Sequence, residues 1–454
     1  MKKFFFILFI IFFNNSFCIN IIPGDNICEQ ELNYIKNRQD IVNASIQQLI
    51  DQNTQDSKLP TIAICFSGGG YRAMITSAGF LSGAEETNLI HATSYMSALS
   101  GSTWLLIPLL TKNIEMTNYK KILKKEVNTN FWKDKIKNIS LIDFWSQTIS
   151  EHLLSKFKPG TTFETIRENL TKSNQYPFPL FSCLITNSED GKKNKLPYDY
   201  LEISPFTTYG KALNASVDTQ YLGSVFENGK ITQSQPELPE SFFMGMLGSP
   251  FCISIGDILS FSLTDIGEFF NAKNYHYLDI SEKLFNYWGL FNDRITPAKI
   301  PNYTYSYEGS KLSNLENLEL ADSGINILNL AIDPLFRRII DILIICDSSA
   351  DATNKSYPEL RLAANFAKDN NINFPEIIET NIIVNLANLK VFYDQNNTKA
   401  PAIVYITNPI KESTLKLQYN SQEFDDLYNT MHNLVSDNKQ ILIDVIKLKI
   451  KQLN

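Results

Sequence analysis

The hexapeptide Thr61-Ile62-Ala63-Ile64-Cys65-Phe66 carries no charge and runs straight into Ser67-Gly68-Gly69-Gly70. A continuous apolar run with β-branched residues is the pattern of a strand covered on both faces, as in a parallel sheet between helical layers. After the glycines, residues 71–86 have helical character, with small residues gathered on one side. The order recurs: residues 91–100 form a short strand-like segment that turns at Gly101 into the helix-like 103–112. Near 319–347, LELAD leads through a loop to the apolar RRIIDILIICD. Strands alternating with helices predict an α/β fold, a mostly parallel central sheet flanked by helices. Residues 20–58 read as partly helical, and the polar, Lys- and Asn-rich stretches 112–160 and 357–400 as helical or loop insertions. Length alone would allow about three domains at ~150 residues each. Without a linker or an internal repeat, residues 19–454 read instead as one catalytic unit.

The first twenty residues bear on compartment. Lys2 and Lys3 precede the apolar run Phe4–Phe13 and a short polar stretch. Such a run spans about 15 Å as a helix, half a bilayer core, and is too short to cross one. The basic flank, the short apolar run and the small positions Ser16 and Cys18 predict a signal peptide over 1–18 and a secreted or secretory-pathway protein. Sequons at Asn43, Asn138, Asn169, Asn214, Asn302, Asn354 and Asn396 agree with a glycoprotein. Six cysteines are too few for a disulfide scaffold; Cys65 and Cys346 sit in apolar runs and read as core. Lys plus Arg (41) against Asp plus Glu (48) gives −7, which argues against a nucleic-acid partner.

Three local features carry chemistry. In Ser67-Gly68-Gly69-Gly70-Tyr71-Arg72, converging N–H groups before a helix can hold an anion, either a phosphate or the oxyanion of acyl transfer; a plain tight turn is the alternative. The loop lacks the GK[ST] of a nucleotide-binding P-loop. In Ala98-Leu99-Ser100-Gly101-Ser102 the positions two away from Ser100 are small, as a strained nucleophile elbow requires, although a helix-capping serine would read the same. Asp322-Ser323-Gly324 puts an acid at a strand end, where α/β sheets gather ligands, or else is a common turn. The histidines offer poor bases: His91 precedes the strand, and His152, His276 and His432 lack a strand-end context. Asp322 is the better base, provided burial raises its basicity.

Together these segments resemble the catalytic domain shared by cytosolic phospholipase A2 and the phospholipase B/lysophospholipases. The likeness rests on SGGGYRAM (67–74), LSGSTW (99–104), LEISPFTTYG (201–210), YLGSVFENG (221–229), FFMGMLGSPF (242–251) and DSG (322–324), in that order. It implies a patatin/cytosolic phospholipase A2-like fold with helical insertions. It also implies a Ser–Asp dyad of Ser100 and Asp322, an oxyanion hole from Gly69 and Gly70, and Arg72 on the substrate phosphate. Arg338 falls where the family places another basic residue. Ala98 departs from the family's glycine, which implies less room at the elbow.

The expectation is therefore a secreted lysophospholipase of phospholipase B type, without metal or cofactor, acting on lysophospholipids and intact phospholipids. Its lipid would be met at a membrane or micelle surface. Lys120, Lys121, Lys124, Lys125, Lys133, Lys135 and Lys137, with Phe131, Trp132, Phe144 and Trp145, have the composition of an interfacial helix, or of a solvated helix with buried aromatics. A patatin-like neutral-lipid hydrolase and an inactive lipid-binding protein are the alternatives. Arg72 speaks against the first, and the intact Ser100 and Asp322 against the second.

Overall fold

A computed structural model describes residues 21–52, 57–129, 160–188, 199–248, 298–325, 328–350, 352, 354, 356–414 and 416–454. The expected leader, Phe131, Trp132, Phe144, Trp145, His152, His276 and Asn138 lie outside them.

The apolar runs form the centre of one sheet. Five strands lie parallel in the order β4 (Phe178–Ile185), β3 (Tyr95–Ala98), β2 (Ile62–Phe66), β12 (Ile342–Asp347) and β15 (Ala402–Thr407). All five are buried at every position, which is why their sequences show no alternation. Antiparallel strands extend both edges. Beyond β4 come β5 (Tyr200–Ile203), β6 (Thr207–Gly210), β7 (Ala215–Asp218) and the two-residue β1 (Ile22–Pro23). Beyond β15 comes the hairpin β14 (Leu389–Phe392) and β13 (Ile382–Asn385). That hairpin corrects the reading of 357–400 as helix or loop: β13 is an edge strand, half-buried and exposed at alternate positions, so few of its residues need be apolar. A further hairpin, β10 (Ala298–Pro301) and β11 (Asn317–Asp322), joins the sheet through β4. The pair β8 (Val225–Glu227) and β9 (Lys230–Gln233) stands apart.

Helices cover the sheet: α1 (Glu29–Ile50), α2 (Gly70–Glu86), α3 (Leu89–Ala92), α4 (Gly101–Lys112), α5 (Met116–Val127), α6 (Phe163–Ser173), α7 (Glu240–Leu247), α8 (Pro358–Asp369), α9 (Ser421–Ser436) and α10 (Lys439–Leu453). Helix α2 is buried from Gly70 to Ala84. Its small side receives α9, where a side chain on Gly79 would collide with the Tyr428 carbonyl. In α5, Tyr119, Leu123 and Val127 are buried, while Lys124 pairs with Asp425 and Lys120 bonds Asn429. These two lysines of the proposed interfacial stretch thus face α9. No described helix is long and apolar enough to cross a membrane.

Arg338 is a structural residue here. Its guanidinium bonds Glu31 at 2.7 and 2.9 Å and Glu202 at 2.7 Å, tying α1 to β5, and Arg337 joins Glu202 at 2.8 Å. Although burial pushes the Glu202 carboxyl up, the two arginines hold it net below its usual range. Asp333, bonded by the Ser182 hydroxyl at 2.9 Å, is pushed by burial up to about 8, and Glu240 likewise to about 8. An acid with a raised folded pKa contributes its full stability below the unfolded value near 4 and loses it as pH rises toward 8. Glu202 acts oppositely and weakens the fold only as pH falls below the carboxylate range. Thermal melts should therefore show lower stability at pH 8.5 than at pH 5.5, each acid contributing on the order of 1 kcal/mol per pH unit. Asp333→Asn should flatten that alkaline loss; an unchanged slope would rule Asp333 out as a source.

Candidate active site

Strand β4 decides where the two candidate residues meet. One edge of β4 pairs with β5, and β3 and β11 share the other edge. Strand β3 leaves that edge at Ala98, opposite Phe181, and β11 arrives from the other direction with Asp322 opposite Cys183. The end of one strand therefore confronts the end of the other. Residues more than two hundred positions apart are brought side by side, the Ser100 hydroxyl close enough to the Asp322 carboxyl to draw its pKa down against the effect of burial.

Ser100 sits on the turn between β3 and α4 with φ 53° and ψ −135°, a conformation that costs a non-glycine residue about 1–3 kcal/mol. The surroundings hold it there. Ser100 N–H donates to the Leu247 carbonyl at 3.2 Å, at the end of α7, and the Ser100 carbonyl accepts from the Thr103 N–H at 2.9 Å. Ser102 Oγ donates to the Ser67 carbonyl at 2.6 Å and lies 3.0 Å from Ser77 Oγ. Ala98 and Ser102 are fully buried, so the elbow accommodates alanine where the resemblance implied glycine.

Asp322 closes β11 and is 5 % exposed. Burial pushes its carboxyl up to about 7, against the Ser100 hydroxyl and the Gly324 N–H, which donates to Oδ1 at 2.8 Å. A carboxylate left in water would be too weak a base to draw a serine proton; one with a pKa near 7 is matched to neutral pH. The sequence requirement that Asp322 be desolvated is thus met by its place in the fold.

The glycine loop lies against this pair. Gly69 (φ 140°) caps α2 and Gly70 (φ 60°) opens it, and the first N–H groups of a helix have no intrahelical acceptor. A Cβ on Gly68 would come within 2.7 Å of Ser100 Cβ, and one on Gly101 would collide with the Gly70 carbonyl. Loop and elbow are therefore in backbone contact. Arg72 is also here, but its guanidinium is spent on protein. Nε donates to the Ser348 carbonyl at 2.8 Å, Nη1 to the Glu412 carbonyl and Nη2 to Thr414 Oγ1 at 3.0 Å. At 3 % exposure it braces the start of α2 against two loops, with Nη2 beside Gly69 of the glycine loop. Its neighbours in space lie 276 and more positions away, which no local pattern reveals.

A serine–histidine–carboxylate grouping also occurs among the described residues and does not resemble a catalytic one. His432 Nδ1 lies 3.2 Å from Ser82 Oγ, and Nε2 lies 3.0 Å from Glu86. Yet Ser82 is buried in the middle of α2, with neither a strained turn nor a glycine loop beside it. A cavity of about 650 Å³ lies at the opposite end of the sheet, between Phe336, Ile340, Phe374 and Leu453, far from Ser100. No cluster of metal-ligating side chains occurs among the described residues. No sequence pattern marks Asn329, whose side chain bonds Gly68.

Comparisons with known proteins find relatives of this sequence and of this fold. A family model described as the lysophospholipase catalytic domain matches residues 62–137 and 133–433. Mouse cytosolic phospholipase A2 gamma is 30 % identical over 243 residues, covering 51 % of this chain and 40 % of its own. Lysophospholipase 2 of Aspergillus fumigatus is 26 % identical over 451 residues, covering 83 % of this chain and 74 % of its own. The structure of human GIVD cytosolic phospholipase A2 superposes with a TM-score of 0.78 at 16 % identity, over 95 % of this chain and 66 % of that one. The chain thus spans less than half of the mouse relative and about two thirds of the human structure. With the family model matching most of its length, the chain belongs to the lysophospholipase catalytic-domain family.

Proposed function

We propose that the chain is a lipid acyl-ester hydrolase of lysophospholipase (phospholipase B) type, cleaving fatty-acyl esters of lysophospholipids and of intact phospholipids. One observation carries this reading: a serine in a strained strand-to-helix turn whose hydroxyl lies against a buried carboxyl with a pKa near 7. Ser100 Oγ attacks the ester carbonyl while Asp322 takes its proton. The oxyanion is received by the N–H groups of Gly69 and Gly70. Collapse breaks the ester bond, and Asp322 returns the proton to the departing glyceryl oxygen, leaving an acyl-serine. Water, deprotonated by Asp322, then releases the fatty acid and regenerates Ser100.

The same reading makes the protein a secreted one that meets its lipid at a membrane or micelle surface. Its support is the basic-then-apolar leader and the exposed sequons Asn214 and Asn396. Asn302 cannot join them once folded, because its buried amide donates to the Leu312 and Leu315 carbonyls at 2.8 Å.

Purified protein should be assayed against lysophosphatidylcholine, diacyl phosphatidylcholine and triacylglycerol side by side, with and without a chelator. Lysophosphatidylcholine should be hydrolysed fastest, and the chelator should make no difference. Preference for triacylglycerol would favour the neutral-lipid reading. Folded protein inert toward all three would favour a lipid-binding role.

A further inference from the structure

The glycine loop and the aspartate turn belong to chain segments more than two hundred residues apart, and one side chain lies between them. Asn329 Oδ1 accepts from the Gly68 N–H at 3.1 Å, and Asn329 Nδ2 donates back to the Gly68 carbonyl at 3.3 Å. The Asn329 main-chain carbonyl also accepts from the Gly68 N–H, at 3.2 Å, and the next residue, Leu330, bridges Ser67. A Cβ added to Gly68 would collide with Asn329 Oδ1, and a Cβ added to Gly324 would collide with the same oxygen. Gly324 is the residue whose N–H holds Asp322 Oδ1. The amide of Asn329 is thus packed against both glycines at once. It is held in turn by α8, where Glu359 Oε2 accepts the Asn329 N–H at 2.6 Å.

We propose that Asn329 is a positioning residue that sets the glycine loop and the Asp322 turn in register with each other, with Glu359 fixing its main chain. The role follows from the contacts. An asparagine offers a donor and an acceptor on one planar group, which matches the carbonyl and N–H of a single residue such as Gly68. Both neighbours lack Cβ, so the amide packs directly onto backbone and fixes the distance between the loops. Misplacement of reacting groups by about 1 Å costs on the order of 10²-fold in rate without requiring any loss of substrate affinity. The inference rests on the proposed Ser100–Asp322 reading, because positioning has meaning only if that pair does the chemistry.

The test compares Asn329→Ala, Asn329→Asp and Glu359→Gln with the parent and with Ser100→Ala, on lysophosphatidylcholine and in rate of fluorophosphonate labelling. Asn329→Ala should lower kcat about 10²-fold with KM within about threefold. The labelling rate should fall in parallel, and the pH at half-maximal rate should stay unchanged, since Asp322 still supplies the base. Asn329→Asp keeps the acceptor for Gly68 N–H but loses the donor and adds negative charge beside the oxyanion loop. It should fold and lose at least as much kcat. Glu359→Gln should show a smaller loss of the same kind, and it carries the test if Asn329→Ala does not fold. Full kcat in the folded variants while Ser100→Ala is inactive overturns the positioning role alone. Full activity in Ser100→Ala overturns the underlying reading. A fall in melting temperature with kcat unchanged would make Asn329 merely structural and also contradict the proposal.

Discussion

Ser100→Ala should remove ester turnover by about 10⁴-fold or more and abolish fluorophosphonate labelling, while the protein stays folded. The serine contributes little to packing that alanine would lose, because its main-chain bonds to Leu247 and Thr103 do not depend on the hydroxyl. What alanine retains is the strain at φ 53°. Ser100→Gly would be equally inactive, yet it should be more stable than Ser100→Ala by about 1 kcal/mol, since glycine takes this conformation without a clash. Melting curves of the two inactive variants check this directly. Equal stability would mean that the elbow is not strained in the way its dihedral angles imply.

Asp322→Asn should lower turnover about 10³-fold or more, because the amide cannot accept the serine proton. It should also make the protein more stable in alkali. The folded pKa near 7 is raised by burial above the unfolded value near 4. Native Asp322 therefore retains its proton where the unfolded chain has lost it, and stability falls as pH rises from about 4 to about 7. Asparagine does not titrate, so its advantage should open over that window and hold above it, on the order of 4 kcal/mol in all and roughly 3 kcal/mol between pH 5 and pH 8. Denaturant unfolding at pH 5 and pH 8 measures the gap. Loss of activity with no such gap would mean that Asp322 is solvated when the protein works.

Much of this site was legible in the sequence. Strands β2 and β12 announced themselves because burial on both faces leaves runs that are apolar but for the closing Asp347 of β12. Ser100 and Asp322 stood out as small-flanked or acidic residues at strand ends. What the sequence could not convey is the head-to-head meeting of β3 and β11 on one edge of β4, a property of register and not of composition. The antiparallel flanks were harder still: the edge strand β13 needs few apolar residues, so its stretch reads as loop. Arg72 and Asn329 mark the other limit. Arg72 follows the glycine turn directly, but the acceptors that hold its guanidinium, at Ser348 and Glu412, come from far along the chain. Asn329 sits in an undistinguished apolar stretch, and its meaning comes from the two glycines it touches.

The histidines also change standing. His91 lies on α3, ahead of β3 and so at the far end of that strand from Ser100. His432 pairs with Ser82 and Glu86 on the helical layer. Neither of these two described histidines is placed to serve Ser100, in keeping with the proposed role of the carboxylate as base.

The central claim, a serine activated by a buried aspartate, is tested most directly by mapping the fluorophosphonate adduct and measuring its rate of formation across pH. The expected result is a single adduct on Ser100 whose rate rises about tenfold per pH unit up to about pH 7 and then levels, with Asp322→Asn reducing it at every pH. An adduct on another residue, or labelling of Ser100 at an undiminished rate in Asp322→Asn, would contradict it.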